Sequence, residues 1–231
     1  MTSPNRPALV RVARALGPLR EEVVLVGGQV AELLVTDPAA VRVRPTDDVD
    51  LICDVATASA YDRFAERLRA MGFREVVDPA APLCRWRHGD DIVDVMPVEE
   101  RVHGLRGSWY PYGMRSAWPY RIAEDLEMKI LSAPAFLATK WEAFEDRGEG
   151  DLYGSADMED LVTVIAGRQA VVEEVRAAQR DVRRYLADRA SRFLDGGATP
   201  DVIAGALPDA RLVPGIVRAT QERLVEIAGM R

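Results

Sequence analysis

The spacing between hydrophobic residues changes several times along the first hundred residues. Apolar residues recur at helical spacing over 7–19, form a continuous run at 23–26, and return to helical spacing over 29–35. Short apolar runs that are typical of strands then alternate with one further amphipathic stretch. The pattern predicts helices at 7–19, 29–35 and 59–71 and strands at 23–26, 49–52, 73–77, 83–86 and 92–96. This alternation favours an α/β (α+β) fold for the N-terminal part.

The rest of the chain follows a different pattern. Residues 102–133 combine aromatic residues with prolines, which predicts irregular structure with short strands. From residue 134 onward the apolar spacing is helical, and glycine pairs separate the helices. The predicted helices are 134–147, 157–167, 169–195, 200–207 and 211–229. We therefore expect an α/β domain at residues 1–133 and a helical domain at residues 134–231.

Composition narrows the class of protein. The chain has 231 residues, of which 48% are hydrophobic and 29% are charged, as in globular proteins. No apolar run approaches the roughly 20 residues of a membrane helix, and two cysteines form no disulfide framework. We therefore expect a cytoplasmic protein with no membrane partner. A net charge of −7 argues against a surface that coats nucleic acid broadly.

The sharpest chemical feature is the segment Thr46-Asp47-Asp48-Val49-Asp50-Leu51. Alternate side chains of a strand share a face, so Asp48 and Asp50 point the same way while Val49 turns into the core. Two neighbouring carboxylates repel each other unless a cation lies between them. Hard divalent ions such as Mg²⁺ or Mn²⁺ bind this kind of oxygen cluster.

A third carboxylate, Asp94, lies in the otherwise apolar segment 92–96. If the two strands are neighbours, Asp94 joins Asp48 and Asp50 in a three-carboxylate site of the two-metal type. Two simpler interpretations stay open. Asp94 could pair with Arg85 or Arg87, and an Asp-x-Asp pattern arises by chance in a chain with 37 acidic residues.

The pair Gly27-Gly28 separates a predicted strand from a predicted helix. Glycines allow close approach of the backbone to a ligand, and the start of a helix attracts phosphate. A tight turn needs the same residues, so the pair by itself does not distinguish a phosphate site from a turn.

In this order, Gly27-Gly28, Thr46-x-Asp48-x-Asp50-Leu51 and Asp94 resemble the nucleotidyltransferase core of the DNA polymerase β superfamily. The stretch 136–168 is similar, more narrowly, to the helical motif of the AbiEii/AbiGii toxin-type nucleotidyltransferases. The residues that carry the second likeness are Phe136 to Phe144, Arg147-Gly148 and Asp157-x-x-Asp160-Leu161. Together the two likenesses cover roughly residues 20–168.

The resemblance implies a polymerase-β-like core with a mixed sheet, followed by a helical domain that completes the nucleotide site. It implies transfer of an NMP from an NTP to an acceptor hydroxyl, with Mg²⁺ or Mn²⁺ as cofactor. The acceptor would be tRNA or a protein if the chain is a toxin, and a cognate antitoxin would then be a partner. A small-molecule acceptor, such as an antibiotic hydroxyl, and a catalytically silent nucleotide-binding module remain alternatives.

The same resemblance assigns roles to individual residues. Asp48 and Asp50 would bind the metal, and Asp94 would complete the site and activate the acceptor hydroxyl. Gly27 and Gly28 would cradle the triphosphate, which Lys140 would steady. The further residues that it places at the nucleotide are Arg147, Asp157 and Asp160.

Two of these residue groups have structural alternatives. Lys140, one of two lysines in the chain, could lie over Trp141 and Phe144 with its ammonium in water. Asp157 could cap the helix that follows it, with Asp160 favoured by the helix dipole.

A basic stripe is expected on the predicted helix 169–195, where Arg176, Arg180 and Arg183 recur at helical spacing. The stripe could contact an RNA backbone. The favoured interpretation is a solvated face with local ion pairs.

Overall fold

The computed structural model describes residues 5–37, 41, 43–99, 107–147, 150–207 and 213–230. The chain forms two compact units. The first comprises residues 1–30 and 45–132, and the second comprises residues 31–44 and 133–231. Within the described ranges, no helix is both long and apolar enough to span a membrane.

The elements of the first unit follow the predicted alternation of helix and strand. Its helices and strands are α1 (Arg6–Leu16), a 3₁₀ turn (Gly17–Glu22), β1 (Val23–Val26), the start of α2 (Gly28–Leu34), β2 (Asp48–Cys53), α3 (Ala58–Ala70), β3 (Arg74–Glu75), β4 (Arg85–His88), β5 (Asp91–Pro97), α4 (Tyr110–Ser116), β6 (Trp118–Ala123) and β7 (Leu126–Ile130). The boundary between the two units lies inside α2.

The strands form one mixed sheet in the order β3-β4-β5-β2-β1-β7-β6. The pairs β2–β5 and β1–β7 are parallel, and the other neighbours are antiparallel. All four residues of β1 are buried, as expected for a central strand. The predicted α/β class with a mixed sheet is therefore confirmed.

Helices pack on this sheet through the apolar faces that their spacing predicts. The buried residues of α1 recur at i, i+3, i+4 and i+7, and they are Leu9, Val12, Ala13 and Leu16. The helix α3 starts at the Thr57 cap, whose hydroxyl accepts a hydrogen bond from the Ala60 amide. Its Tyr61 hydroxyl donates to the Val95 carbonyl of β5 at 3.0 Å, which ties α3 to the strand that carries Asp94.

The second unit is helical. Its helices are α5 (Ala133–Arg147), α6 (Ala156–Gly167), α7 (Val171–Ala177), α8 (Arg180–Asp195), α9 (Thr199–Ala206) and α10 (Ile216–Ala228), together with residues 31–44. The helix α6 is central and packs against α5, α9 and α10. Its residues from Leu161 to Gly167 are all buried, as is typical of a helix enclosed by others.

Backbone hydrogen bonds explain why residues 31–44 belong to the helical unit. The amides of Thr36 and Asp37 both donate to the Gly167 carbonyl at 3.0 Å. Arg168 donates to the Leu34 carbonyl at 2.8 Å and forms a bidentate pair with Glu174 at 2.5 and 2.6 Å. The Arg168 side chain is only 11% exposed. One arginine therefore joins the ends of α2 and α6 to α7.

The predicted continuous helix 169–195 is wrong. Residues Ala178 and Gln179 adopt extended backbone and separate α7 from α8. Arg183 donates to the Arg176 and Ala178 carbonyls at 3.3 Å, which satisfies carbonyls at the end of α7. Apolar spacing could not reveal the break, because both helices bury residues at the same period.

The predicted basic stripe depends on that continuous helix and is therefore also wrong in its geometry. Arg176 lies on α7, whereas Arg180 and Arg183 lie on α8. Arg176 pairs with Glu173 and, at 3.6 Å, with Glu226. The arrangement matches the alternative of local ion pairs more closely than a row of arginines along one helix.

The interpretation of residues 102–133 as irregular structure with short strands is wrong in part. Residues 110–116 form α4, and Pro111 lies in its first turn, where a missing N–H costs nothing. The strands β6 and β7 are ordinary in length, with six and five residues. Residues 101–106 lie outside the described part of the chain.

We predict that Arg168→Gln lowers the free energy of unfolding by roughly 2–3 kcal/mol, because it leaves Glu174 and the Leu34 carbonyl without their partner. Urea unfolding followed by circular dichroism measures the change. Arg180→Gln, at an exposed position of α8, is the matched control and should stay within about 0.5 kcal/mol of wild type. Equal effects of the two substitutions would contradict this role for Arg168.

Candidate functional site

Three carboxylates meet where two parallel strands of the first unit lie side by side. Asp50 on β2 is in direct register with Asp94 on β5, and Asp48 lies two residues before Asp50 on the same face. One carboxylate oxygen from each of the three lies within 4.8 Å of the others. The condition set by the sequence, that the two strands be neighbours, is met.

Burial differs among the three side chains. The Asp94 side chain is only 9% exposed, whereas that of Asp48 is 33% exposed. Val49 and Leu51, which alternate with the acids, are fully buried. The cluster therefore has a closed side at Asp94 and an open side at Asp48, as a site for an incoming ligand requires.

The donor set fits a hard divalent cation. Three carboxylates supply oxygen ligands only, which is the preference of Mg²⁺ and Mn²⁺. Among the described residues, this is the one group of three or more acids, histidines or cysteines close enough to share an ion. Asp48, Asp50 and Asp94 are thus the residues that could hold a metal.

An arginine also reaches the cluster. Arg85 on β4 is in register with Asp94 and forms a bidentate pair with it at 2.7 and 2.8 Å. The same guanidinium donates to Asp48 at 3.2 Å. The carboxylates raise the pKa of Arg85, chiefly through its hydrogen bonds with Asp94. Pairing with arginine and membership of the acidic cluster, which the sequence offered as alternatives for Asp94, therefore occur together.

Gly27 makes room for one of the three acids. Its backbone is in the left-handed region, with φ of +72°, and a Cβ placed there would lie 1.8 Å from Oδ2 of Asp50. No side chain larger than hydrogen fits, and few other residues adopt this φ. Contact with the Asp50 carboxylate therefore explains why position 27 is a glycine. The sequence indicated only a tight turn or a phosphate site as reasons.

A glutamine links the glycine turn to the acidic strand. Gln29, in the first turn of α2, is 2% exposed, and its side-chain amide donates to the Asp48 carbonyl at 2.9 Å. This bond holds the backbone of Asp48 relative to the turn at Gly27-Gly28. Nothing in the sequence pattern marked Gln29, because its partner is a backbone atom 19 residues away.

The remaining predicted residues form a second cluster, in the helical unit. Lys140 is 5% exposed and its ammonium contacts Asp157 at 3.0 Å and Asp160 at 2.6 Å. Arg147 forms a bidentate pair with Asp157 at 2.9 and 3.1 Å. Arg44 pairs with Asp160 at 3.1 and 3.2 Å, a partner that the sequence missed because residue 44 falls in a predicted loop.

Two alternatives from the sequence, a helix cap at Asp157 and a lysine at position 140 with its ammonium in water, are wrong. Ser155, not Asp157, caps α6, and its hydroxyl accepts a hydrogen bond from the Met158 amide. The Lys140 ammonium is buried between carboxylates and lies 5.9 Å from the centre of the Phe136 ring. It does not extend into water over Trp141 and Phe144, as a snorkelling lysine would.

Two opposing effects, burial and nearby positive charge, act on the pKa of Asp157. Burial by itself raises the pKa, but the hydrogen bonds and positive charges of Arg147 and Lys140 outweigh it and hold the pKa below its ordinary value. The same logic holds for Arg44, where burial lowers the pKa and Asp160 more than restores it. Asp157 and Asp160 are thus buried carboxylates that are each paired with two positively charged side chains.

No protein-family model matches the chain. No curated protein matches it either.

Several solved structures resemble the chain distantly. An antigenic nucleotidyltransferase-like protein from Paracoccidioides brasiliensis has 18% identity, a TM-score of 0.49, and coverage of 90% of this chain and 95% of that chain. The antibiotic-resistance factor ANT(2'')-Ia has 16% identity, a TM-score of 0.49, and coverage of 83% and 94%. JHP933 from Helicobacter pylori has 14% identity, a TM-score of 0.47, and coverage of 99% and 93%. At these values the likeness supports no inference about substrate, which must come from the site itself.

We predict that Gly27→Ala weakens Mn²⁺ binding by roughly tenfold or more, because the new methyl group displaces the Asp50 carboxylate from the cluster. Electron paramagnetic resonance of free Mn²⁺ measures the affinity. Gly89→Ala is the matched control, since Gly89 also has a positive φ, +58°, but an added Cβ there meets nothing within 4 Å. Loss of binding in both variants would assign the effect to backbone strain instead.

We also predict a pH-dependent role for Asp157. Because its pKa is lower in the folded state than in the unfolded state, its contribution to stability is present above the unfolded pKa and disappears as pH falls through the folded pKa. Wild type should therefore be more stable than Asp157→Asn at neutral pH, and the difference should shrink below about pH 4. Urea unfolding at a series of pH values measures this.

The control for this experiment is Asp146→Asn, which removes an exposed carboxyl from the same helix as Lys140. Its pH profile should follow wild type. A stability difference between wild type and Asp157→Asn that is constant from pH 7 to about pH 2 would contradict the proposed charge balance.

Proposed function

We propose that the protein is a metal-dependent nucleotidyltransferase that moves an NMP from an NTP to an acceptor hydroxyl. The observation that carries the proposal is the convergence of Asp48, Asp50 and Asp94 within 4.8 Å on adjacent strands. Gly27 supports this proposal, because a Cβ at position 27 would clash with the Asp50 carboxylate where it lies in the cluster. A purely structural set of three acids would gain nothing from this crowding, since like charges repel.

Asp48 and Asp50 would hold a divalent cation on the open side of the cluster, and Asp94 would complete the coordination from β5. When bound, the ion neutralises charge on the phosphates and on the oxygens that enter and leave. In the transfer, the acceptor oxygen forms a bond to the α-phosphorus while the bond to pyrophosphate breaks. Asp94 is the candidate acceptor for the proton of that hydroxyl, because its carboxylate belongs to the same cluster.

The helical cluster is proposed to contact the nucleotide phosphates. Its Arg147 side chain is 71% exposed although the guanidinium contacts Asp157, so it is the member best able to meet an anion. Lys140 is only 5% exposed and its ammonium already contacts two carboxylates, so it is less accessible to a phosphate than Arg147. We therefore assign Lys140, Asp157 and Asp160 to positioning, and Arg147 to the phosphate contact.

The Gly27-Gly28 turn is proposed to approach the triphosphate through its backbone. The Asp50 carboxylate fills the space that a Cβ at position 27 would occupy, so the turn and this proposed metal ligand are in direct contact. A nucleotide bound through the metal would then lie against this backbone, and Gly28 would allow its close approach.

We propose a tRNA or a protein as acceptor, with a cognate antitoxin as partner, on the likeness of the helical motif to AbiEii-type toxins. The residues that carry this likeness, Lys140, Arg147, Asp157 and Asp160, do form one connected cluster. A small-molecule hydroxyl is the alternative acceptor. Three carboxylates at metal-binding distance count against a catalytically silent module.

The test is transfer of label from each NTP, labelled at the α-phosphate, in the presence of Mg²⁺ or Mn²⁺ and of total RNA, total protein or candidate small hydroxyl compounds. We expect transfer by wild type and a loss of roughly a thousandfold in Asp48→Asn and Asp50→Asn, because the bound cation is worth several kcal/mol in such transfers. The labelled fraction identifies the acceptor class.

The matched control is Asp47→Asn. Asp47 precedes the strand and is exposed, so its loss should leave transfer near the wild-type rate. Transfer that persists in Asp48→Asn and Asp50→Asn would contradict the assignment of these residues. Absence of transfer from any NTP to all three acceptor pools would contradict the proposed activity.

A further inference from the structure

Arg85, Asp94 and Asp50 form one row across the sheet. Arg85 on β4 is in register with Asp94 on β5, and Asp94 is in register with Asp50 on β2. Side chains in direct register on neighbouring strands lie on the same face and are close enough to interact. The arginine is therefore placed at the acidic cluster by strand pairing itself, and not by a flexible loop.

The hydrogen bonds of Arg85 engage the carboxylates that would bind the metal. Both oxygens of Asp94 accept from the guanidinium, at 2.7 and 2.8 Å. The Nη2 atom also donates to Oδ2 of Asp48 at 3.2 Å. One nitrogen therefore bridges two of the three candidate ligands, in the manner of a cation shared between carboxylates.

The charge balance shows what this bridge does. The Arg85 guanidinium places one positive charge against the carboxylates of both Asp48 and Asp94. Without the arginine, the Asp94 carboxylate would lose its bidentate partner although it is only 9% exposed, which is costly for a charged group so far removed from water. The guanidinium thus stabilises the protein when no metal is bound, and it lowers the attraction of the site for a metal.

We propose that Arg85 is a positioning residue that acts as an internal counter-ion of the metal site. Its bidentate pair with Asp94 and its contact with Asp48 occupy carboxylate oxygens that a divalent cation would bind, so the guanidinium competes with the cation. The inference rests on the proposed function, because it takes the three carboxylates to be a metal site. It adds that metal affinity is set by a residue that is not a ligand.

Competition has a specific consequence for substitutions at position 85. If Arg85 served only the structure of the sheet, its replacement would weaken metal binding, because the carboxylate ligands would lose their order. A counter-ion does the opposite, since its removal exposes the full charge of the acids to the incoming cation. The sign of the change in affinity therefore separates the two roles.

The test measures binding of Mn²⁺ alone to the full-length protein by electron paramagnetic resonance, together with thermal unfolding with and without the ion. We expect Arg85→Gln to bind Mn²⁺ roughly tenfold more tightly than wild type. Without metal, the variant should unfold at a lower temperature than wild type, because the acids lack their counter-ion. Its rise in unfolding temperature on addition of Mn²⁺ should be larger than that of wild type.

Two further variants serve as controls. Arg85→Lys retains the positive charge, so its Mn²⁺ affinity should return toward the wild-type value. Arg87→Gln removes the same charge from an exposed position two residues along β4, and it should change the affinity much less than Arg85→Gln. In an Asp94→Asn background, replacing Arg85 should have a smaller effect, because its principal partner is absent.

The outcomes distinguish this inference from the proposed function. Wild type that binds Mn²⁺, with Arg85→Gln binding equally or more weakly, would overturn the counter-ion role and leave the metal site intact. If neither protein binds Mn²⁺ at millimolar concentration, the metal site and the counter-ion role both fail. If Arg85→Gln does not fold, Arg85→Lys decides: wild-type affinity supports the role, and tenfold tighter binding despite the retained charge overturns it.

Discussion

Crowding of like charges is the constraint on which the first unit depends. Two parallel strands bring Asp50 and Asp94 into direct register, with Asp48 on the same face. Such an arrangement is unfavourable unless positive charge compensates it. Arg85 provides that charge from the next strand, and Gly27 provides the space in which the Asp50 carboxylate lies. The β-sheet, the glycine turn and the arginine are all needed to hold three acids in one place.

The helical unit meets the same constraint in another way. There the acids Asp157 and Asp160 are buried, and the compensating charges come from Lys140, Arg147 and Arg44. Glu159 is a further acid beside Arg44, so three carboxylates and three positively charged side chains lie together in this cluster.

Much of the fold follows from local pattern. The helices α1 and α3 and the strands β1, β2 and β5 lie close to their predicted ranges, because each helix buries one periodic face and each strand is a short, mainly apolar run. The predictions are wrong where an element starts or ends for a reason other than the spacing of apolar residues. The break between α7 and α8 is stabilised by Arg183, which donates to carbonyls at the end of α7. The helix α4 has a proline in its first turn, although prolines in this segment predicted irregular structure.

The sequence alone determined which chemistry is available: acids that alternate along a strand, a glycine pair after another strand, and one lysine in a predicted helix. Alternation is a property of the backbone, so the shared face of Asp48 and Asp50 needs no tertiary information. Tertiary structure decided what each group meets. Strand order places Arg85 against Asp94, and helix packing buries Lys140 between two acids. These contacts join residues through space, and charge balance between them depends on distances that no linear pattern contains.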